Sequence, residues 1–584
     1  MTVTWTERLS KIFNHPSKFL IPLLFILNVV LVFPIFFPNL SDMDMWDESG
    51  YINSGRMLIE KGFLPEPAWN PLGAFFYALT YIPVQDTTYW LIHSCTIGRF
   101  ILFGLMWLSA YLVAKQLSSI GHPLVMIGLI LISPALTYLL ANPSDALFTA
   151  MSAFALWQLL SFYNKKKIKH LWIASVFVAL ATLSRNDGLI LFVVLIILSI
   201  SIVGFVKRTG TSLIACILPF AIIIGSYITV YGLKTGRFEF GTMRRTYCAF
   251  EQGQGIAYEY PVPDGTLDVR RIFGTPEENK CSIISALRHN PKAFFDRVLQ
   301  VARTAPKKLY FAYEEKLGIV LFLLAAMGTL EMVRKRLFLL LFILLLWAAH
   351  IFVYFFTFFR PQYFLLPYFV VFSLVSVGLT YITNSLEKRG LYFWSLILLG
   401  FVTFGLLTNR PNIFSATFLF LIALWLIKII MSQYRNLETI KPIGIILALF
   451  LAVILKGGYP YPKFRTLGIA PDEKAALFMK EHLKPGSVVF AEAPGPIWVG
   501  KMHFRPLDFN FRNLNEQDIF SLITSRRGKA VYVNNALRYF EPGVVEKIEK
   551  MIGKEFKVGF RSENGEVEVL LINNKAMQNL NADR

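Results

Sequence analysis

Asp47 and Glu48 are adjacent carboxylates in the stretch Trp46-Asp47-Glu48-Ser49-Gly50-Tyr51, just past the first long apolar run of the chain. Acidic side chains beside a bilayer are costly to draw inward, so they sit where water and a polar substrate have access. A carboxylate there can take the proton from a hydroxyl while that oxygen attacks an electrophilic carbon. If the departing group is already stable as an anion, no strong general acid is needed. The second requirement is then a cation that receives the departing charge, best met by the fork geometry of arginine. The structural alternative for Asp47 is to cap the helix that follows it.

Cations at suitable places are few. Arg360 opens the run Arg360-Pro361-Gln362-Tyr363-Phe364-Leu365-Leu366-Pro367. Topology puts it at the outer end of a span, level with lipid headgroups, where it either contacts a phosphate or snorkels as an anchor. Arg185 lies in Ser184-Arg185-Asn186-Asp187-Gly188, where it either faces a phosphate or pairs with Asp187 in a helix connection. Asp145, after Asn142-Pro143-Ser144, starts a span and either lines the same cavity or shares with Ser144 the capping of a helix. Asp42, Asp44, Asp47 and Glu48 offer oxygens to a hard divalent cation, although a solvated acidic loop is the commoner arrangement. The sequence has no His/Cys cluster at metal-ligand spacing and no phosphate-cradling glycine loop.

The elements that hold these residues are membrane spans. Of 584 residues, 55% are hydrophobic and 16% charged, and 53 are Phe, more apolar material than one soluble core requires. The apolar runs recur near the ~20 residues that cross the hydrocarbon layer. About thirteen can be read, at 19–38, 97–115, 123–140, 145–163, 170–184, 188–206, 211–231, 315–332, 337–357, 362–382, 391–408, 413–431 and 440–456. The formal net charge of +20 is not pooled as a nucleic-acid surface. Lys165, Lys166, Lys167 and Lys169, then Lys207 and Arg208, Arg334 to Arg336, and Lys388 with Arg389 fall in every second connection, and the positive-inside rule makes those cytoplasmic. The N-terminus, with Arg8, Lys11 and Lys18, joins that side, and the tail lies outside. The first run is too long for a cleaved signal peptide and lacks its small-residue site, so it is a retained span.

The expected fold is therefore a polytopic α-helical membrane domain over 1–456 and a soluble extracytoplasmic α/β domain over 457–584. Two outer loops, about 39–96 and 232–314, interrupt the membrane part. The first is broken at Pro65-Glu66-Pro67-Ala68-Trp69-Asn70-Pro71, and the second contains an amphipathic helical pattern at Ala293 to Leu299. In the tail, helical patterns at Asp472 to Leu483 and Val544 to Ile552 alternate with strand-like runs at Ser487 to Ala491, Ala530 to Val533 and Val567 to Ile572. Four cysteines exclude a disulfide framework. Cys248 and Cys281 share an outer loop where oxidation is permitted, so a single bridge between them is one option and free thiols the other.

Taken in order, Asp47-Glu48-x-x-Tyr51, Asn70-Pro71-Leu72, Ser184 to Gly188 and Arg360 to Pro367 resemble motifs of the GT-C integral-membrane glycosyltransferases. The branch they are most similar to holds protein O-mannosyltransferases and lipid A aminoarabinose transferases. The resemblance covers roughly residues 19–385 and the layout with an outer C-terminal domain. It implies a transferase that moves a sugar from a polyprenyl-phosphate donor to an acceptor hydroxyl on a glycan, lipid or protein, at the outer face of the cell (inner) membrane, with inversion. By the same resemblance Asp47 is the base with Glu48 beside it, and Tyr51, Asn70, Arg185 and Arg360 are the donor or phosphate contacts. The chain departs from the lipid A branch at Gly50 and Asn70, where that branch has Arg and Lys, and Arg244, Arg245 or Lys307 are candidate substitutes. No cofactor is implied beyond the optional divalent cation, and nucleic acid is not an expected partner.

Two other classes share the composition. A secondary transporter or lipid flippase would carry membrane-embedded charges, but such proteins show matching halves with broken helices near the midplane, and the sequence has no such internal repeat. A non-enzymatic envelope scaffold leaves the outer carboxylates without a role.

Overall fold

The computed structural model describes residues 47–62, 70–87, 89–121, 134–204, 209–236, 265–276, 278–312, 315–357, 359–388, 471–492, 495–507, 511 and 514–573, with isolated positions between 21 and 37, at 123 and 126, and between 238 and 254. The expected spans 391–408, 413–431 and 440–456 lie outside the described residues, as do most of 19–38 and the first part of 123–140. Cys248 does too, and with it the Cys248–Cys281 pairing.

The chain divides into two compact units. One is drawn from Met1–Ile35, Ile101–Tyr258 and Val269–Tyr461, the other from Phe36–Phe100, Glu259–Asp268 and Pro462–Arg584. The helices in chain order are α1 (Asp47–Lys61), α2 (Pro71–Tyr81), α3 (Trp90–Gln116), α4 (Pro134–Ala141), α5 (Pro143–Lys165), α6 (Lys169–Ser184), α7 (Gly188–Val203) and α8 (Thr209–Thr235). They continue with α9 (Gly265–Phe273), α10 (Ile283–His289), α11 (Pro291–Ala312), α12 (Glu315–Arg334), α13 (Phe338–Ala348) and α14 (Tyr368–Lys388).

Apart from 123–140, of which only Pro134–Ala141 is described as an element, the expected spans from 97 to 382 coincide with helices close to their ranges. Among the described residues Trp90–Gln116, Pro143–Lys165, Thr209–Thr235 and Phe338–Phe355 are long and apolar enough to cross a membrane, and α6, α7 and Tyr368–Ile382 are shorter apolar helices. Prolines at the first turn start α2 and α5, where the missing N–H costs nothing. Lys166 closes α5 in the left-handed region at φ 53°.

Burial sorts the helices of the first unit. α5 is buried along almost its whole length, whereas α8 leaves Ile214, Ile217, Leu218 and Ile222 exposed. An apolar face turned outward is what a lipid solvent permits. α12 and α14 approach backbone to backbone at Gly328 and Gly378, since a Cβ on either would collide with a main-chain carbonyl of the other helix, Leu374 or Leu324. That small-residue contact is a common way to pack helices in hydrocarbon. One departure from a continuous helix occurs after α13, where Ala349–Phe355 tightens into a 3₁₀ run. A second 3₁₀ turn, Pro361–Leu365, precedes α14. The amphipathic pattern expected at Ala293 to Leu299 lies on α11, with Phe295 and Leu299 exposed one turn apart and Phe294 and Arg297 buried.

The second unit contains the α/β domain. Its elements are α15 (Pro471–His482), β1 (Val488–Ala491), α16 (Gly495–Val499), β2 (His503–Pro506), α17 (Glu516–Ser525), β3 (Gly528–Val533), α18 (Asn535–Phe540), α19 (Pro542–Lys550), β4 (Phe556–Arg561) and β5 (Glu568–Ile572). The strand order is β2-β1-β3-β5-β4. β1 pairs in parallel with β2 and β3, while β5 pairs antiparallel with β3 and β4. β3 is buried on both faces apart from Lys529, as a central strand must be. Asn515 and Asn534 cap α17 and α18 by accepting the amides of Asp518 and Leu537 at 2.8 and 3.0 Å. The segment of α1, α2 and the start of α3 belongs to this same unit.

Candidate functional site

The two groups of candidate residues lie one in each unit. In the second unit, α1 begins at Asp47, whose side chain is outside the described residues. Its neighbour Glu48 is fully buried. Arg99 on α3, itself 3% exposed, donates from Nε to Glu48 Oε1 at 3.0 Å and from Nη2 to Oε2. Tyr77 on α2 donates its hydroxyl to Glu48 Oε1 at 3.3 Å. A carboxylate and a guanidinium removed from water are tolerable only when both ends of the pair are satisfied in this way. Glu48 therefore ties three helices together, with both its oxygens turned to Arg99.

The close approach needed for this is set by one glycine on each helix. A Cβ at Gly98 would lie 2.6 Å from the Tyr77 ring, one at Gly73 would meet the ring of Tyr51, and one at Gly55 would strike the backbone at Tyr77 and Ala78. Tyr51 is accordingly buried against α2. Asn70 is also buried, at the head of α2, and its Oδ1 has no hydrogen-bond partner. Arg56, one face further along α1, lies over the Trp90 ring at 4.9 Å.

In the first unit the turn Ser184 to Gly188 and the run Arg360 to Pro367 meet. Arg185 donates from Nε to Asp187 Oδ2 at 2.9 Å, from Nη1 to Asp145, and from Nη2 to the Tyr354 hydroxyl at 2.8 Å. Tyr354 in turn donates to Asp187. The rings of Tyr354 and Tyr363 stack with centroids 3.9 Å apart, and the guanidinium lies 5.6 and 5.3 Å from them. Arg185 is thus engaged by Asp145, Asp187 and Tyr354, and the pairing with Asp187 is present. Gly188 is required at the turn because a Cβ would run into Thr182. Arg297 on α11, 1% exposed, donates to the Phe355 carbonyl at 2.8 Å and to that of Thr357, so the end of the 3₁₀ run that carries Tyr354 is held from the second outer loop.

Arg360 is exposed at the head of the Pro361–Leu365 turn. Arg244 and Arg245, and the side chain of Lys307, lie outside the described residues, as do Asp42 and Asp44. Among the described residues no three His, Cys, Asp or Glu groups are placed to hold a metal, and Glu48 faces an arginine. Sequence reasoning did not find Arg99, Tyr77, Tyr354 or Arg297 as partners. The available signal for Arg99 was a lone arginine at the start of the apolar run 97–115.

Comparison with known proteins gives a fold. No family model matches the chain, and no curated protein does. Among solved structures, ArnT from Cupriavidus metallidurans bound to undecaprenyl phosphate is similar with a TM-score of 0.50 at 11% identity, over 94% of this chain and 98% of that one. The Archaeoglobus fulgidus oligosaccharyltransferase in the apo form gives a TM-score of 0.51 at 15% identity, over 96% and 75%. The oligosaccharyltransferase AglB of the same organism, in complex with an inhibitory peptide and a dolichol-phosphate, gives 0.50 at 14%, over 98% and 75%. The chain has the fold of these GT-C glycosyltransferases.

Proposed function

We propose that this protein is a glycosyltransferase that moves a sugar from a polyprenyl-phosphate donor to an acceptor hydroxyl at the outer face of the cell membrane, with inversion. The observation that carries the reading is the buried Glu48–Arg99 pair, which fixes the helix that opens at Asp47. A buried, fully hydrogen-bonded ion pair can serve to fix which helix faces meet, and in this reading it sets the end of the helix that carries Asp47. The fold likeness, at full chain length, supports the class, and the neighbours bound to undecaprenyl phosphate and dolichol-phosphate support a polyprenyl-phosphate ligand.

In this reading Asp47 takes the acceptor proton as the acceptor oxygen attacks the anomeric carbon from the side opposite the phosphate. The bond from that carbon to the phosphate oxygen breaks, and polyprenyl phosphate leaves as an anion. Arg360 receives the phosphate charge. Glu48 is a positioning residue, since Arg99 and Tyr77 occupy its oxygens. The basic connections support a cytoplasmic N-terminus and an outer α/β domain in this reading.

The test is release of polyprenyl phosphate from a radiolabelled polyprenyl-phosphate sugar by protein in nanodiscs, with Asp47→Asn beside the parent. Acceptor-dependent release that the variant loses is the expected result. A folded Asp47→Asn protein with full turnover removes Asp47 as base, and no release from any of several donors removes the reaction.

A further inference from the structure

The α/β domain has a topology that normally makes a ligand crevice. From β1 the chain steps outward to β2 and then returns across β1 to β3, so the strand order reverses between β1 and β3. In open α/β sheets ligands bind outside the carboxyl ends of the strands at such a reversal. Here those ends carry Glu492 after β1, α16 beyond it, and Asn534 after β3. The head of α15 is at the same end, because Tyr532, near the end of β3, donates its hydroxyl to Asp472.

These elements are turned to the chain's own first outer segment. Ala476, one turn into α15, and Val499, at the end of α16, are 0% and 1% exposed. They belong to one apolar cluster with Tyr51 and Ile52 of α1, Tyr77 and Tyr81 of α2, and Trp90, Leu91 and Cys95 of α3, and Trp498 packs against it. Burial, and after it the charge of Glu473 on α15, push the Tyr89 hydroxyl above its ordinary pKa. Two members of the cluster lead directly to the candidate catalytic helix. Tyr77 donates to Glu48, and Tyr51 is one turn beyond Asp47.

We propose that the α/β domain clamps α1, α2 and the start of α3, with Ala476 and Val499 as positioning residues for the helix that presents Asp47. The proposal rests on the reading of Asp47 as base, and it gives the domain a part in the rate of transfer. Acceptor recognition through this same face is the competing role.

The experiment uses the full chain in nanodiscs, with Ala476→Phe as the disruptive variant and the exposed, distant Lys550→Ala as control. One readout is maleimide labelling of Cys95, followed by peptide mass mapping. The other is the kinetics of polyprenyl-phosphate release. In the parent and in Lys550→Ala, Cys95 is protected. In Ala476→Phe, labelling rises roughly tenfold, the factor that corresponds to an opening made easier by one decade. There, kcat falls by about ten- to a hundredfold with the donor KM within about twofold, as expected when a reacting group is misplaced by about 1 Å.

Hydrogen exchange over Val531–Val533 reports whether the domain is still folded. With the domain folded, unchanged Cys95 protection or unchanged kcat overturns the proposal, and so does a loss confined to acceptor KM. If Ala476→Phe unfolds the domain, Val499→Ala carries the same readouts. A parent that releases no polyprenyl phosphate sinks the reaction assigned above, while Cys95 protection in the variants still decides the clamp.

Discussion

Arg99 holds the carboxylate of Glu48 with two hydrogen bonds across 51 residues of sequence. Nothing along the chain between them is repeated or charged in a way that announces the pair. Its consequence is that Glu48 is committed to Arg99. The proposed division of labour is one carboxylate for chemistry and one for placement.

Breaking this pair from one side leaves a buried charge without a partner. Arg99→Met or Glu48→Leu alone is expected to destabilise by ~3–5 kcal/mol, and the double variant by less than either single change. Thermal unfolding midpoints in detergent for the two singles and the double decide this. Additive losses would mean the two residues do not act as a pair.

The glycine contacts predict a contrast within a single helix. Gly98→Ala pushes a methyl into the Tyr77 ring, and a loss of about 1–3 kcal/mol is expected from overpacking. At Gly104 a Cβ meets nothing within 4 Å, so Gly104→Ala is expected to be neutral or to stabilise by up to about 1 kcal/mol. Midpoints measured side by side test the ranking, and a neutral Gly98→Ala would refute the assigned packing.

Tyr354→Phe removes one hydroxyl that both accepts from Arg185 and donates to Asp187. A cost of about 1–3 kcal/mol is expected, the penalty for orphaned buried partners. Arg185→Lys should cost at least as much, because an ammonium does not reach three partners with a planar fork. Full thermal stability in both variants would show that the network is not structural.

In the α/β domain, burial pushes the carboxyl of Asp472 up from its ordinary value, against the Tyr532 hydrogen bond, which pulls it down. An acid whose pKa is raised on folding supports the fold fully below its unfolded pKa, near pH 4, and that support is lost as pH rises through the raised value. Asp472→Asn can still accept from Tyr532 and carries no charge. The variant is therefore expected to be more stable than the parent at neutral pH, with the gap closing in acid. Hydrogen exchange over β3 at several pH values measures this, and a gap that widens in acid would reverse the sign.

Much of the architecture was legible because it is local. Spans from 97 to 382 follow from runs of apolar residues, and strands β1, β3 and β5 from short β-branched runs bounded by turns. The two strands that sequence reading missed, β2 and β4, are the two edges of the sheet. Edge strands tolerate residues such as His503, Arg505, Lys557 and Arg561, which protect an open edge and erase the apolar signal. The 3₁₀ run at Ala349–Phe355 was equally hidden, since composition does not distinguish it from a continuing helix.

The sequence by itself determined the membrane class, the adjacent carboxylates after the first apolar run, and the two motifs around Arg185 and Arg360, because hydropathy and charge spacing are properties of neighbouring residues. Only the tertiary structure decided which charges pair. Arg185 selects Asp145 and Tyr354, 40 and 169 residues away, and Glu48 selects Arg99. Ala476 and Val499 join a cluster built from α1, α2 and α3. Those choices depend on which helix faces meet, and that is settled by close approach at single glycines and by the cost of leaving a buried charge unmatched.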